Sequence, residues 1–165
     1  MTRQRNNLSD MSEKDFYQVS LKAILKNKDG KILALKAVAT GTFGGYYDLP
    51  GGRLNVDEFS TPFVEVLERE IHEEIGDEAQ FIIRPVPVAI GRHQIDPRYS
   101  GKLNREIHVL YIFFEADYLD GVLTISDEHT DHAWLDPYAI DLKQYFKSGI
   151  LQGLEMYLTS SKRKE

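Results

Sequence analysis

The stretch "FVEVLEREIHEEI", residues 63 to 75, constrains the fold more than any other part of the chain. Phe63, Leu67, Ile71 and Ile75 recur every four residues and draw one apolar stripe along a helix. Thr61 as N-cap and Pro62 in the first turn start it, and Gly76 stops it. Such a helix must lay its stripe against something, and its neighbours in the chain read as strands. "FYQVSLKAILKN" turns through "KDG" into "KILALKAVA", and "FIIRPVPVAIGRH", "REIHVLYIFFEADY" and the shorter "GVLTIS" follow the helix, with "HAWLDP" continuing toward another. "LKQYFKSGILQGLEMYL" reads as one terminal helix or two short ones. Strands, one central helix, more strands and a terminal helix predict an α/β fold with a mixed central sheet and helices packed on its faces.

The chain has 165 residues, the length of one domain, with no internal repeat and no linker. Residues 1–15 read as a polar, flexible leader, 16–160 as the domain, and 161–165 as a basic tail. The leader lacks the apolar segment of a signal peptide, and no apolar run reaches membrane-span length. With no cysteine, thiolate ligands, disulfides and cysteine nucleophiles are excluded, which fits a cytoplasmic protein. The formal net charge of −6 is unevenly placed. Residues 57 to 78 carry nine acids and one arginine, while the rest holds 17 acids and 19 bases. The acidity is local, so it marks a place and is not general solubilising charge.

That place is the helix. At about 100° per residue, Glu70, Glu73 and Glu74 share one sector on the shoulder of the apolar stripe. Like charges at these spacings destabilise a helix by roughly 0.2–0.5 kcal/mol per pair, and partial burial adds to that cost. Two readings are open from the helix alone: a solvated acidic face, or oxygen ligands for a hard divalent cation. The glycine turn "LPGG" just upstream favours the second, because it lets backbone approach a bound ion or phosphate.

Joined, "GGRLNVDEFSTPFVEVLEREIHEEIG" resembles the signature of the Nudix hydrolases, with Gly52, Glu58, Arg69, Glu70, Ile71, Glu73, Glu74 and Gly76 in the matching places. Ten residues, against the signature's seven, separate Glu58 from Arg69, and Asp77 stands where the signature ends on an aliphatic. The three additional residues fall in the loop around "FSTP", where length is tolerated.

The resemblance implies an α/β/α sandwich and hydrolysis of a pyrophosphate bond in a nucleoside diphosphate linked to another moiety. Nucleoside triphosphates, ADP-ribose, nucleotide sugars and dinucleoside polyphosphates all belong to that class. It implies Mg²⁺ or Mn²⁺ held by Glu70, Glu73 and Glu74, with the Gly51 carbonyl as a further ligand, and structural roles for Gly52, Glu58, Arg69 and Gly76. In the MutT-like branch a carboxylate lies six residues before a tryptophan; ahead of Trp134 that residue is Glu128, a ligand or base. Asp127 and Asp131 are alternatives in the same loop, and His129 and His132 flank it. His72 reads as solvent-facing, and His93 and His108 as structural strand residues. Tyr47, Arg92, Arg98 and Arg105 are candidate substrate contacts, with Phe43 and Tyr46 as further stacking surfaces. A small-molecule nucleotide is the expected partner, with no membrane and no stable nucleic-acid partner; a homodimer is compatible with the sequence. The alternative is a Nudix-fold domain that binds a nucleotide without turnover.

Overall fold

A computed structural model of the protein describes residues 13–161. The expectations for the leader through residue 12 and for the tail from residue 162 lie outside the described residues. Strands β1 (Tyr17–Lys26), β2 (Ile32–Ala37), β3 (Tyr47–Asp48), β4 (Gln80–Ile95), β5 (Ile107–Asp120) and β6 (His129–Leu135) form one mixed sheet. Its order is β3-β2-β1-β5-β4, with β6 on the other side of β2; β1 and β5 run parallel and the remaining pairs antiparallel.

Strand alternation explains how both faces are covered. Leu21, Ala23 and Leu25 of β1, with Phe114 and Ala116 of β5, face helix α1 (Phe63–Ile75) and its buried Val66, Leu67, Ile71 and Ile75. Ile24 of β1 and Val109, Tyr111 and Phe113 of β5 face α2 (Leu142–Tyr145) and α3 (Ser148–Ser161), where Phe146, Ile150 and Leu154 are fully buried. The α/β/α sandwich is therefore present, and the terminal helix is two pieces parted at buried Phe146.

One irregularity of the sheet makes room for a site. β1 and β2 pair only at Lys26 and Ile32 and then part. The chain after β3 fills the gap beside β1: Leu21 N–H donates to Gly52 O at 2.8 Å, Ala23 N–H to Pro50 O at 2.8 Å, and Leu54 N–H to Val19 O at 3.0 Å. The "LPGG" turn is thus set into the sheet, next to α1.

Three local expectations are corrected. "GVLTIS" is not a strand: Thr124 N–H donates to Ile75 O and Ser126 N–H to Glu74 O, so this segment satisfies the open carbonyls at the end of α1. The N-cap of α1 is Pro62, without a side-chain cap, because Thr61 closes the preceding turn onto Glu58 O. His72 is not simply solvent-facing: its Nδ1 lies 3.2 Å from Gly76 O and its ring packs on Phe81.

Candidate active site

The groups that converge beside the turn come from four elements. Helix α1 brings Glu70 and Glu74, β1 brings Ser20 and Lys22, the segment from β3 brings Asp48, Gly51 and Gly52, and the start of β6 brings Glu128 and His129. All of them line one cavity of about 340 Å³. The rest of the lining is mostly apolar and aromatic: Phe43 from the glycine-rich loop before β3, with His93 and Ile95 of β4 and Val109 and Tyr111 of β5.

Both turn glycines make a close approach. Gly51 has φ of 130°, a conformation that suits only glycine, and a Cβ there would strike Leu21 O. A Cβ on Gly52 would collide with the Glu70 carboxylate. The turn and the helix are locked together by Gly51 N–H, which donates to Glu74 Oε2 at 2.7 Å.

Glu74 is only 7 % exposed, and burial pushes its pKa up to about 8, against the opposing pull of the Lys22 charge and the Gly51 hydrogen bond. Burial also raises the pKa of Glu70, while Arg69 at 2.8 Å opposes the rise. His129 Nε2 stands 3.8 Å from Glu74 Oε1. Burial lowers the pKa of this histidine, so at neutral pH the contact is not an ion pair. Its Nδ1 is buried with no hydrogen-bond partner among the described residues.

Arg69 organises the rear of the cluster. Its guanidinium reaches Glu58, Glu70 and, at 2.9 Å, Glu73. Glu58 meanwhile accepts from Asn55 N–H at 2.7 Å in a capping box; that bond, followed by Arg69, holds its carboxyl below the usual range. The longer loop therefore still delivers Glu58 to Arg69, through the single 3₁₀ turn Val56–Glu58. Gly76 ends α1, its N–H donating to His72 O.

Other sequence candidates lie elsewhere. The Glu73 side chain is 58 % exposed and faces Arg69, away from the cavity lining. Tyr47 packs on Tyr145 and Phe146 and carries Lys36 over its ring. Arg92 sits against α3, Arg98 closes on Asp96 at 2.9 Å, and Arg105 lines a separate groove with residues 13–18. The four do not line the cavity. His132 lies opposite Leu35 in the β2–β6 ladder. Residues absent from the sequence reading are Ser20, Lys22 and Asp48. Their signal was there: Ser20 and Lys22 alternate with Ile24 on one face of an otherwise apolar buried strand, an expensive place for a lysine unless it has partners.

The donor set suits a hard divalent cation: it offers carboxylate and carbonyl oxygens, and the Glu74 carboxylate is buried with its pKa raised by that burial. Among the described residues, no three His, Asp or Glu side chains are grouped closely enough to hold an ion together; the acids make contact with Arg69 and Gly51 N–H instead.

An α/β/α sandwich with an acidic helix locked to a glycine turn narrows the class, and comparison with known proteins completes it. A sequence profile of the NUDIX domain matches residues 16–152. The chain belongs to the NUDIX domain family and is a pyrophosphohydrolase of that family. It is similar to the nucleoside triphosphatase NudI of Escherichia fergusonii, 29% identical over 123 residues that cover 74% of this chain and 82% of that protein. The NudI of Klebsiella pneumoniae strain 342 is 28% identical over 122 residues, with the same coverage. In fold it is similar to the MutT protein of Methanosarcina mazei Go1, with a TM-score of 0.70, 22% identity, and 93% and 99% of the two chains covered. An ADP-ribose pyrophosphatase of Streptococcus suis matches at a TM-score of 0.58 with 19% identity, covering 91% and 96%.

Proposed function

We propose that the protein hydrolyses a nucleoside triphosphate to the monophosphate and pyrophosphate, using a divalent cation, Mg²⁺ or Mn²⁺. The observation that carries this reading is one cavity lined both by acids and by an aromatic, largely apolar surface. A divalent cation bound at Glu70, Glu74 and Glu128 would neutralise the repelling phosphates and acidify a bound water. The protein's own groups divide the rest of the work. Gly51 N–H holds Glu74 in place, Arg69 holds Glu70, and Glu128 stands at the cavity edge as the candidate proton acceptor. In the same cavity the Phe43 ring packs on His93 at 4.8 Å between centroids, tilted by 34°. An aromatic face suits a nucleobase. The 29% identity to a nucleoside triphosphatase favours triphosphates over ADP-ribose or nucleotide sugars.

The test is product analysis over a panel of nucleoside triphosphates, ADP-ribose, nucleotide sugars and dinucleoside polyphosphates with Mg²⁺, then Mn²⁺. Monophosphate and pyrophosphate from triphosphates, at the highest kcat/KM of the panel, is the expected result. A clear preference for ADP-ribose or a nucleotide sugar would replace the substrate, and binding without turnover would replace the reaction.

A further inference from the structure

The most unusual group in the cavity is a buried lysine. The Lys22 side chain is 5 % exposed, and its Nζ donates to Asp48 Oδ2 at 2.9 Å, Leu49 O at 3.1 Å and Gly51 O at 3.1 Å. An ammonium has three N–H bonds, and all three are used. Fastening the turn does not require them, because backbone bonds from Leu21 and Ala23 already tie it to β1. What Lys22 adds is a positive charge inside a ring of oxygens, one of which belongs to the residue whose N–H holds Glu74. A cation approaching Gly51 O would meet the ammonium already bonded to that oxygen, and like charges so close repel strongly where the ammonium is buried.

We propose that Lys22 is a resident cation of the active site: its ammonium fills the oxygen cage of Asp48, Leu49 and Gly51, confines divalent ions to the side of Glu70, Glu74 and Glu128, and limits their number. The inference rests on the reading of that side as a divalent-cation site. Lys22 is accordingly a positioning residue for the metal. Taking away its charge frees the Asp48 carboxylate and the Gly51 carbonyl to ligate one further ion.

Counting bound Mn²⁺ by electron paramagnetic resonance, on the nucleotide-free protein, tests this without relying on turnover. Lys22→Ala is expected to bind one more Mn²⁺ per chain than the wild type, Lys22→Arg the wild-type number, and Lys22→Ala with Asp48→Asn the wild-type number again. A folded Lys22→Ala protein with an unchanged count overturns the proposal. If that variant is too unstable to titrate, its melting temperature is followed against Mn²⁺. A rise larger than the wild type's supports the filled cage, and no additional rise overturns it. The two readings fail separately. A wild type without bound Mn²⁺ contradicts the cation site at the three glutamates, whereas bound Mn²⁺ with no gain in Lys22→Ala contradicts only the role of Lys22.

Discussion

At Glu74 burial and charge pull in opposite directions, and the balance can be measured. Its folded pKa of about 8 lies above the ordinary glutamate value of 4.5, so between those pH values the folded protein binds more protons than the unfolded chain. The sign follows: the stability linked to this proton is complete below the unfolded pKa and is lost as the pH rises through about 8. In a buffer with chelator, the urea midpoint should fall across that range, and Glu74→Gln, which cannot ionise, should flatten the fall. Equal slopes for the two proteins would mean that Glu74 titrates normally. His93 works at the opposite end of the scale. Burial, followed by the Lys147 charge, lowers its pKa, so its stability contribution is present above the normal imidazole range and is lost as the pH falls.

The turn and α1 act as one element, because each glycine of the turn makes room for a particular neighbour. Gly52→Ala should push the Glu70 carboxylate out of place and lower kcat at least ~10-fold, the change expected when a mutation shifts a reacting group by a fraction of an ångström. Gly51→Ala combines a forced positive φ with a backbone collision and should cost about 1–3 kcal/mol or more in stability. Denaturation midpoints and steady-state rates separate the two effects. A Gly52→Ala protein with wild-type kcat would remove Glu70 from the site.

The sequence showed this element well and its surroundings poorly, for physical reasons. The stripe of Leu67, Ile71 and Ile75 and the shoulder position of Glu70 and Glu74 are local periodicities, visible within a dozen residues, whereas Phe63, expected in the stripe, is exposed and Val66 is buried there. The meeting of Lys22, Asp48, Glu128 and His129 depends on how β1 parts from β2 and where β6 returns, which no local pattern encodes. Glu128 is legible only through its spacing to a tryptophan, and the partners of Lys22 lie more than twenty residues away in the chain. Arg98 and Arg105 stand out by their charge, yet Arg98 is spent on Asp96 two residues away. "GVLTIS" has strand composition, but the carbonyls ending α1 take its N–H groups.

The whole molecule is two apolar layers separated by a sheet, and only one layer lies directly beneath the carboxylates. Leu67 belongs to the α1 layer, and its Cδ1 would be 3.0 Å from a Cβ on Gly51; Leu154 is in the layer on the opposite face. Both are fully buried, and truncating either to alanine should cost about 2–5 kcal/mol. Well below the melting temperature, Leu154→Ala is expected to keep the wild-type kcat, while Leu67→Ala, which loosens the turn behind Glu74, should lose activity. An equal fall in both would show that overall stability, not the local layer, governs the site.

The most direct measurement for the central claim, that the carboxylates of the cavity perform the hydrolysis, is the Mg²⁺-dependent turnover of nucleoside triphosphates by the wild type and Glu74→Gln. The account predicts a loss of at least ~100-fold in kcat in a variant whose circular dichroism spectrum matches that of the wild type. A folded Glu74→Gln protein that turns over at the wild-type rate would contradict it.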